Sequence, residues 1–164
     1  MLISEALELA TEKFEAVGVP SPTVDAELLG CFILEATRSE LTLLTIANQT
    51  FPENKLSDFL DAVQRREKRE PLQHITGLAP FRHLELEVGP GVFIPRPETE
   101  QLVDLAIKRI SQIQRPVVVD MCSGSGAIAI SISTEMSGAK VYAVEISHDA
   151  FSFLIRNFSR YGLD

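Results

Sequence analysis

The sequence predicts a mixed α/β chain in three successive parts: a small helical bundle, a β-hairpin connector, and the opening of a parallel α/β sheet. Three observations predict it. Apolar residues recur at three- and four-residue spacing through the first seventy positions. Leu84-Glu85-Leu86-Glu87-Val88 then switches to strict alternation, the mark of a half-buried strand. Finally, Val117-Val118-Val119 is a short β-branched run that leads through a small-residue turn into a helix and a second strand, Lys140 to Glu145. Strand–helix–strand–helix order implies an open sheet with right-handed crossovers.

Each element has its own signals. Ile3, Leu7, Ala10, Phe14 and Val17 share one helical face, and Gly18 supplies a stop. Ser21-Pro22 reads as an N-cap with proline at the first helical position. The helix it opens runs to about Thr37, with Val24, Leu28, Cys31, Phe32 and Leu34 inward. Ser39 is expected to cap a third helix to about Ala47. A fourth, from about Glu53 to Arg69, is expected to bury Leu56, Phe59, Leu60 and Val63 before Pro71 ends it. Gly89-Pro90-Gly91 reads as a turn, with Val92-Phe93-Ile94 the strand returning beside residues 84–88. After "PRPETE" a helix carries Leu102, Val103, Ala106, Ile107 and Ile110 inward. The valine run beyond Pro116 is typical of a parallel strand covered on both faces. Ser147 is expected to cap a last helix with Phe151, Leu154, Ile155 and Phe158 inward and Asp149 near its positive end.

Composition removes several classes. A hydrophobic share of 45% suits a packed core and argues against disorder. No apolar run approaches the roughly 20 residues that cross a bilayer, and acids stand early in the N-terminus, unlike a signal peptide. Cys31 and Cys122 are the only cysteines, too few for a disulfide framework or a zinc site. A cytoplasmic protein without a metal or a membrane partner is expected. The net charge of −8 repels a nucleic-acid backbone, so direct nucleic-acid binding is not expected. Arg65-Arg66-Glu67-Lys68-Arg69 is a local exception and reads as a solvated helix end. His74 and His83 are expected to make structural hydrogen bonds, and His148 to sit on the surface.

The turn at 122–126 is the candidate site. Ser123, Gly124, Ser125 and Gly126 leave no bulk where the first strand meets its helix, so backbone amides can approach a ligand. Gly124 to Ala129 also fits the loose dinucleotide pattern G-x-G-x-x-G/A, a weak match alone. Charge separates the ligands. Asp120, at the end of the first strand, is a poor neighbour for a pyrophosphate and a good one for the sulfonium and ammonium groups of S-adenosylmethionine. Glu145 closes the second strand 19 positions after Gly126, where an acid can accept both ribose hydroxyl protons.

"VVVDMCSGSGAIAI" with "VYAVEIS" resembles the cofactor half of class I, Rossmann-like methyltransferases. "REPLQHITG" and "GVFIPRPETE" narrow the resemblance to the HemK/PrmC family, the glutamine N5-methyltransferases of peptide chain release factors. The resemblance implies a substrate-recruiting helical domain at 1–71, a hairpin connector at 72–95, and an S-adenosylmethionine-dependent methyltransferase domain from 96 to 164 that is incomplete at its C-terminus. It places cofactor binding on Cys122, Ser123, Gly124, Ser125 and Gly126, with the ribose on Glu145. Phe93, Pro95, Arg96, Glu98 and Thr99 would support the pocket wall. The family loop opens with glycine where this chain has Cys122, so the backbone there is not expected to need a glycine-only conformation.

The family's Asn-Pro-Pro-Tyr motif, which holds the substrate amide, does not occur in the 164 residues. The resemblance therefore implies the N-terminal fragment of such an enzyme, a monomer inactive alone, whose partners are release factors. Alternatives are a methyltransferase for another protein glutamine or an amino group of a nucleic-acid base, and a non-catalytic release-factor-binding module. A nicotinamide oxidoreductase is disfavoured by Asp120.

Overall fold

The computed structural model describes residues 1–163, which form eight helices and two two-stranded sheets in a mixed α/β arrangement. The chain divides into two compact units, Met1–Thr76 and Gly77–Asp164.

The first unit is all helical: α1 (Ile3–Ala16), α2 (Pro22–Leu34), α3 (Arg38–Ile46), α4 (Glu53–Glu67) and the short α5 (Leu72–Thr76). Ile3, Ala6, Ala10 and Phe14 form the buried stripe of α1, at the spacing a helix requires. Glu5 accepts a hydrogen bond from the Leu2 N–H at 2.8 Å, satisfying an amide that helix geometry leaves open. In α2 the buried residues are Ala26, Leu29 and Gly30; of the expected face, Cys31 and Leu34 pack partly buried against the core, while Val24 and Phe32 are exposed. This helix is apolar nearly all round, so period alone does not select a face. Size does: a Cβ on Gly30 would lie 3.1 Å from Leu7 Cδ2, so small residues mark where the helices approach most closely. The cap of α3 is Thr37 rather than Ser39. Its hydroxyl accepts from the Glu40 N–H at 3.2 Å while the Glu40 carboxylate accepts from the Thr37 N–H at 2.7 Å. In α4, Phe59, Ala62 and Val63 are buried and Leu60 is exposed.

The basic run at the end of α4 is more than a solvated end. Arg66 pairs with Asp25 of α2 at 2.7 Å, both largely buried, and Arg69 donates to the Val17 carbonyl at the end of α1 at 3.0 Å. Arg65 pairs with Glu70. The buried Nε2 of His74 has no hydrogen-bond partner, against the structural bond expected of it.

In the second unit β1 (Leu78–Phe81) and β2 (Leu84–Glu87) form an antiparallel hairpin closed by Arg82-His83, with Phe81 opposite Leu84. The expected partner of β2, residues 92–94, is not a strand. Leu78-Ala79-Pro80-Phe81 takes that place; Pro80 disguises it, a residue tolerated only where no ladder N–H is needed. Arg82 fixes the turn onto its neighbours, pairing with Glu135 at 2.7 Å and Asp104 at 2.7 Å.

The helix α6 (Thr99–Ile110) leads to β3 (Val117–Met121), α7 (Ala127–Glu135), β4 (Lys140–Val144) and α8 (His148–Arg160). β3 and β4 pair in parallel, with Val117 opposite Lys140 and Met121 opposite Val144. The expectation that β3 is covered on both faces fails: Val117 is 65% exposed and Val119 54% exposed. Val118 instead packs into the core beside Val103, Ile130 and Val141. Among the described residues one face of this two-stranded sheet is covered and the other is bare. Ser147 caps α8 as expected, its Oγ accepting from the Ala150 N–H at 3.3 Å. The buried face of α8 is Ala150, Leu154 and Asn157, while Phe151 and Ile155 are exposed. No helix among the described residues is long and apolar enough to cross a membrane.

Candidate functional site

The turn from β3 to α7 is tight because its backbone is left-handed at three of five positions: Cys122 (φ 61°), Gly124 (φ 58°) and Gly126 (φ 86°). The two glycines serve different ends. A Cβ on Gly126 would lie 2.8 Å from Leu154 Cδ1, so α8 packs against that backbone directly. A Cβ on Gly124 would meet nothing within 4 Å, so its bare backbone faces open space. Cys122 takes with a side chain a left-handed conformation that glycine adopts freely. Bonds within the site hold the turn: the Gly126 N–H donates to the Ser123 carbonyl at 2.8 Å, and the Ser123 N–H to the Val144 carbonyl at 3.0 Å.

The two carboxylates occupy opposite environments. Asp120 is buried, and its Oδ2 accepts from the Ala129 N–H at 3.2 Å. Gly126 begins α7 without a side chain to cap it, so an acid on the strand satisfies a first-turn amide in its place. Desolvation pushes the Asp120 carboxyl above its ordinary range, with hydrogen bonds from Ser123 and Ala129 opposing and the negative charge of Glu145 reinforcing. Glu145 is held below its ordinary range by backbone N–H groups: Ser147 at 2.8 Å, Gly124 at 2.8 Å and Ile146 at 2.9 Å. Its ionised carboxylate stitches the end of β4 to the glycine turn.

Beside the turn lies a cavity of about 290 Å³, walled on one side by Phe93, Pro95, Arg96 and Thr99 and on the other by Cys122 to Ser125. Phe93 is 85% exposed and forms the rim. Eight of the residues singled out from the sequence therefore meet around one space. Asp120, Gly126 and Glu145 support the turn from behind it, and Glu98 is exposed at the residue preceding α6, off the wall. A larger hollow of about 520 Å³ lies in the helical unit, lined by Leu43, Leu44 and Ala47 with Glu35 and Glu40. It has greater volume but no glycine turn beside it. The residue the sequence reading missed is Asn157, fully buried on α8. The spacing Ala150-Leu154-Asn157-Tyr161 carried the signal, a polar residue on the inward face of a helix.

The class of protein that carries this turn and this helical unit comes from comparison with known sequences. Residues 5–77 match the PrmC N-terminal domain family. A release factor glutamine methyltransferase of Streptomyces coelicolor is 46% identical over 96% of this chain and 54% of its own length. Those of Bifidobacterium longum and Corynebacterium glutamicum are 42% and 41% identical over 97% and 98% of this chain, and 55% and 56% of their own lengths. The chain belongs to the HemK/PrmC family. It spans about half the length of the curated relatives it matches.

Proposed function

We propose that the chain carries the cofactor-binding half of an enzyme that transfers a methyl group from S-adenosylmethionine to the side-chain amide nitrogen of a glutamine in peptide chain release factors. On this reading β3–α7–β4–α8 opens a class I, Rossmann-like sheet, and residues 96–164 belong to its methyltransferase domain. Residues 1–71 recruit the substrate, with 72–95 as the connector, in a cytoplasmic monomer. The observation that carries the reading is the cavity against the glycine turn, with one carboxylate ending each parallel strand. The residues fit the cofactor: Gly124 has no side chain between its backbone and open space, and the two carboxylates behind the turn favour a cationic ligand, with Arg96 the charged residue on the cavity wall.

Glu145 receives the ribose hydroxyls on the acceptor capacity left over by the backbone amides that keep it ionised. Asp120 sets a negative potential beneath the turn, while Cys122 to Ser125 orient the ligand by main-chain contact. Phe93, Pro95, Arg96 and Thr99 exclude water from the wall, and Glu98 favours the start of α6 through the helix dipole. When bound, S-adenosylmethionine would supply an electrophilic methyl group on a sulfonium, for transfer to an amide nitrogen that gives up one proton, with S-adenosylhomocysteine as the neutral leaving group. The residues described here align that donor and keep it dry. An Asn-Pro-Pro-Tyr motif, which would hold the amide, does not occur in these 164 residues, so this polypeptide alone is expected to show little or no transfer. Thirteen acids against seven bases in residues 1–76 favour a protein over a nucleic-acid substrate.

Calorimetry on this chain tests the reading. S-adenosylhomocysteine is expected to bind and NAD not to bind; preference for NAD would overturn it. Incubation with labelled S-adenosylmethionine and release factor is expected to leave the factor unlabelled. The separately folded helical unit, matched by its own family, favours a second reading as a release-factor-binding module. Release-factor capture without affinity for S-adenosylhomocysteine would establish that reading instead.

A further inference from the structure

We propose that Asn157 is the positioning residue of the glycine turn, joining the β2 strand of the hairpin to the candidate cofactor loop through α8. The proposal rests on the reading above for its functional consequence, and on geometry for everything else. The Asn157 side chain is fully buried. Its Nδ2 donates to the Glu87 carbonyl at 3.0 Å and to the Ser125 carbonyl at 2.9 Å, and its Oδ1 accepts from the Glu87 N–H at 2.7 Å. Both amide protons and one oxygen lone pair are thereby used.

The surroundings dictate the residue type. Two carbonyl oxygens face the nitrogen and one N–H faces the oxygen, so the amide has a single orientation. Aspartate would set a carboxylate oxygen against two carbonyls. Leucine would leave three buried backbone groups unpaired, each costing about 1–3 kcal/mol. Glutamine carries the right groups one carbon too far along.

The bond to Ser125 controls the turn because a peptide's C=O and N–H point in opposite directions. Holding the Ser125 carbonyl toward α8 directs the Gly126 N–H back into the turn, where it meets the Ser123 carbonyl. Leu154 and Phe158, on either side of Asn157, press on Gly126 from the same helix. Other side chains tie α8 to β2 without reaching the turn: Tyr161 Oη accepts from the Glu85 N–H at 2.7 Å and donates to the Glu85 carbonyl at 3.1 Å. Leu84 and Leu86 of β2 also pack with Ala127 and Ile130 of α7, but the hydrogen-bonded route from β2 to the ligand-facing backbone runs through Asn157.

Tyr161→Phe, which removes hairpin bonds and leaves the turn alone, is the control for Asn157→Asp. Both are compared with the unaltered chain for thermal midpoint, S-adenosylhomocysteine affinity and amide hydrogen exchange at residues 123–127. N157D is expected to bind at least tenfold more weakly, with exchange at Gly126 at least tenfold faster. Y161F is expected to lose less than threefold in affinity for an equal fall in midpoint. Affinity losses that merely follow the midpoint in both variants, or an unchanged Gly126 exchange in N157D, would overturn the proposal. Should N157D not fold, the Nδ2 protons of Asn157 in the unaltered chain decide. Slow exchange and a shift on adding S-adenosylhomocysteine support it; solvent-like exchange sinks it. If the unaltered chain binds no S-adenosylhomocysteine, the cofactor reading fails, while exchange at Gly126 still tests the positioning role.

Discussion

The helical unit and the β3–β4 pair bury their apolar residues to different degrees. In the helical unit Phe14, Leu29, Phe59 and Val63 are sealed from solvent within a core fed by every helix. In the β3–β4 pair, alternate residues of both strands are open: Val117, Val119 and Met121 on one, Tyr142 and Val144 on the other. The covered face is nonetheless packed closely enough that Leu154 abuts the backbone of Gly126. A turn can thus be rigid on the side that faces a helix while its sheet stays bare on the other. Precision of the site comes from α7 and α8 behind it, not from the breadth of the sheet.

The largest test of that contrast truncates one apolar side chain to alanine in each region. Phe59→Ala is expected to cost about 3–5 kcal/mol, the range for a large side chain lost from a closed core. Val119→Ala, on the bare face, should stay within about 0.5 kcal/mol. Urea unfolding followed by circular dichroism measures both. A large cost at Val119 would mean that its face is covered in solution.

The contrast also explains what was legible in the sequence. The helices of the first unit follow from local spacing, and α1 was readable down to Ile3, Ala10 and Phe14. Where every side was apolar, as in α2, spacing could not choose, and the decisive residues were the small Ala26 and Gly30, whose role depends on Leu7 far along the chain. The glycine turn and Glu145 were legible because their chemistry is local to strand ends. The hairpin partner was not, because β1 contains a proline and its pairing is a tertiary choice. Nor was the engagement of Asp120 with Ala129: the sequence reads an acid near a ligand, while the structure uses it first to cap α7.

A smaller effect is expected from Gly126→Ala, which adds both strain at φ 86° and a contact at 2.8 Å with Leu154. A loss of about 2–3 kcal/mol follows from an enforced left-handed conformation together with overpacking. Affinity for S-adenosylhomocysteine should fall with it, whereas Gly138→Ala, strained but open, should lose stability and keep affinity. Equal affinity losses would show that the turn is not specially placed.

The two site acids should then show opposite pH dependence. The carboxyl of Asp120 is raised, so the folded chain holds that proton more tightly than the unfolded one. Its contribution falls as pH rises from about 3.9 through the folded value. Glu145 is lowered, so its contribution is full above about 4.3 and is lost as pH falls through the folded value. Asp120→Asn keeps an oxygen for Ala129 and removes the buried charge, so stability at pH 7 should hold or rise. On the proposed function, affinity for S-adenosylmethionine should drop about tenfold, some 1.4 kcal/mol. Glu145→Gln should remove part of the acid-side loss. In the helical unit Glu35, Glu40 and Glu70 are all lowered, so acid weakens that unit without an opposing group of this kind among them.

The smallest expected effect asks whether backbone strain is felt equally in the two regions. Cys122 in the turn and Glu35 at the end of α2 share the left-handed conformation, at φ 61° and 56°. Relief of that conformation by glycine is worth about 1–2 kcal/mol, and the greater freedom of unfolded glycine takes back about 0.5–1 kcal/mol. Cys122 is exposed and loses little packing. Glu35 gives up its pair with Lys55 at 2.8 Å, a surface contact of small value. Cys122→Gly and Glu35→Gly should therefore each stabilise by about 0.5–1 kcal/mol in urea titrations. A gain at Glu35 with none at Cys122 would show that the turn relaxes its strain through the open side of the sheet. Equal gains would show that α8 holds the turn as firmly as the bundle holds its own helix end.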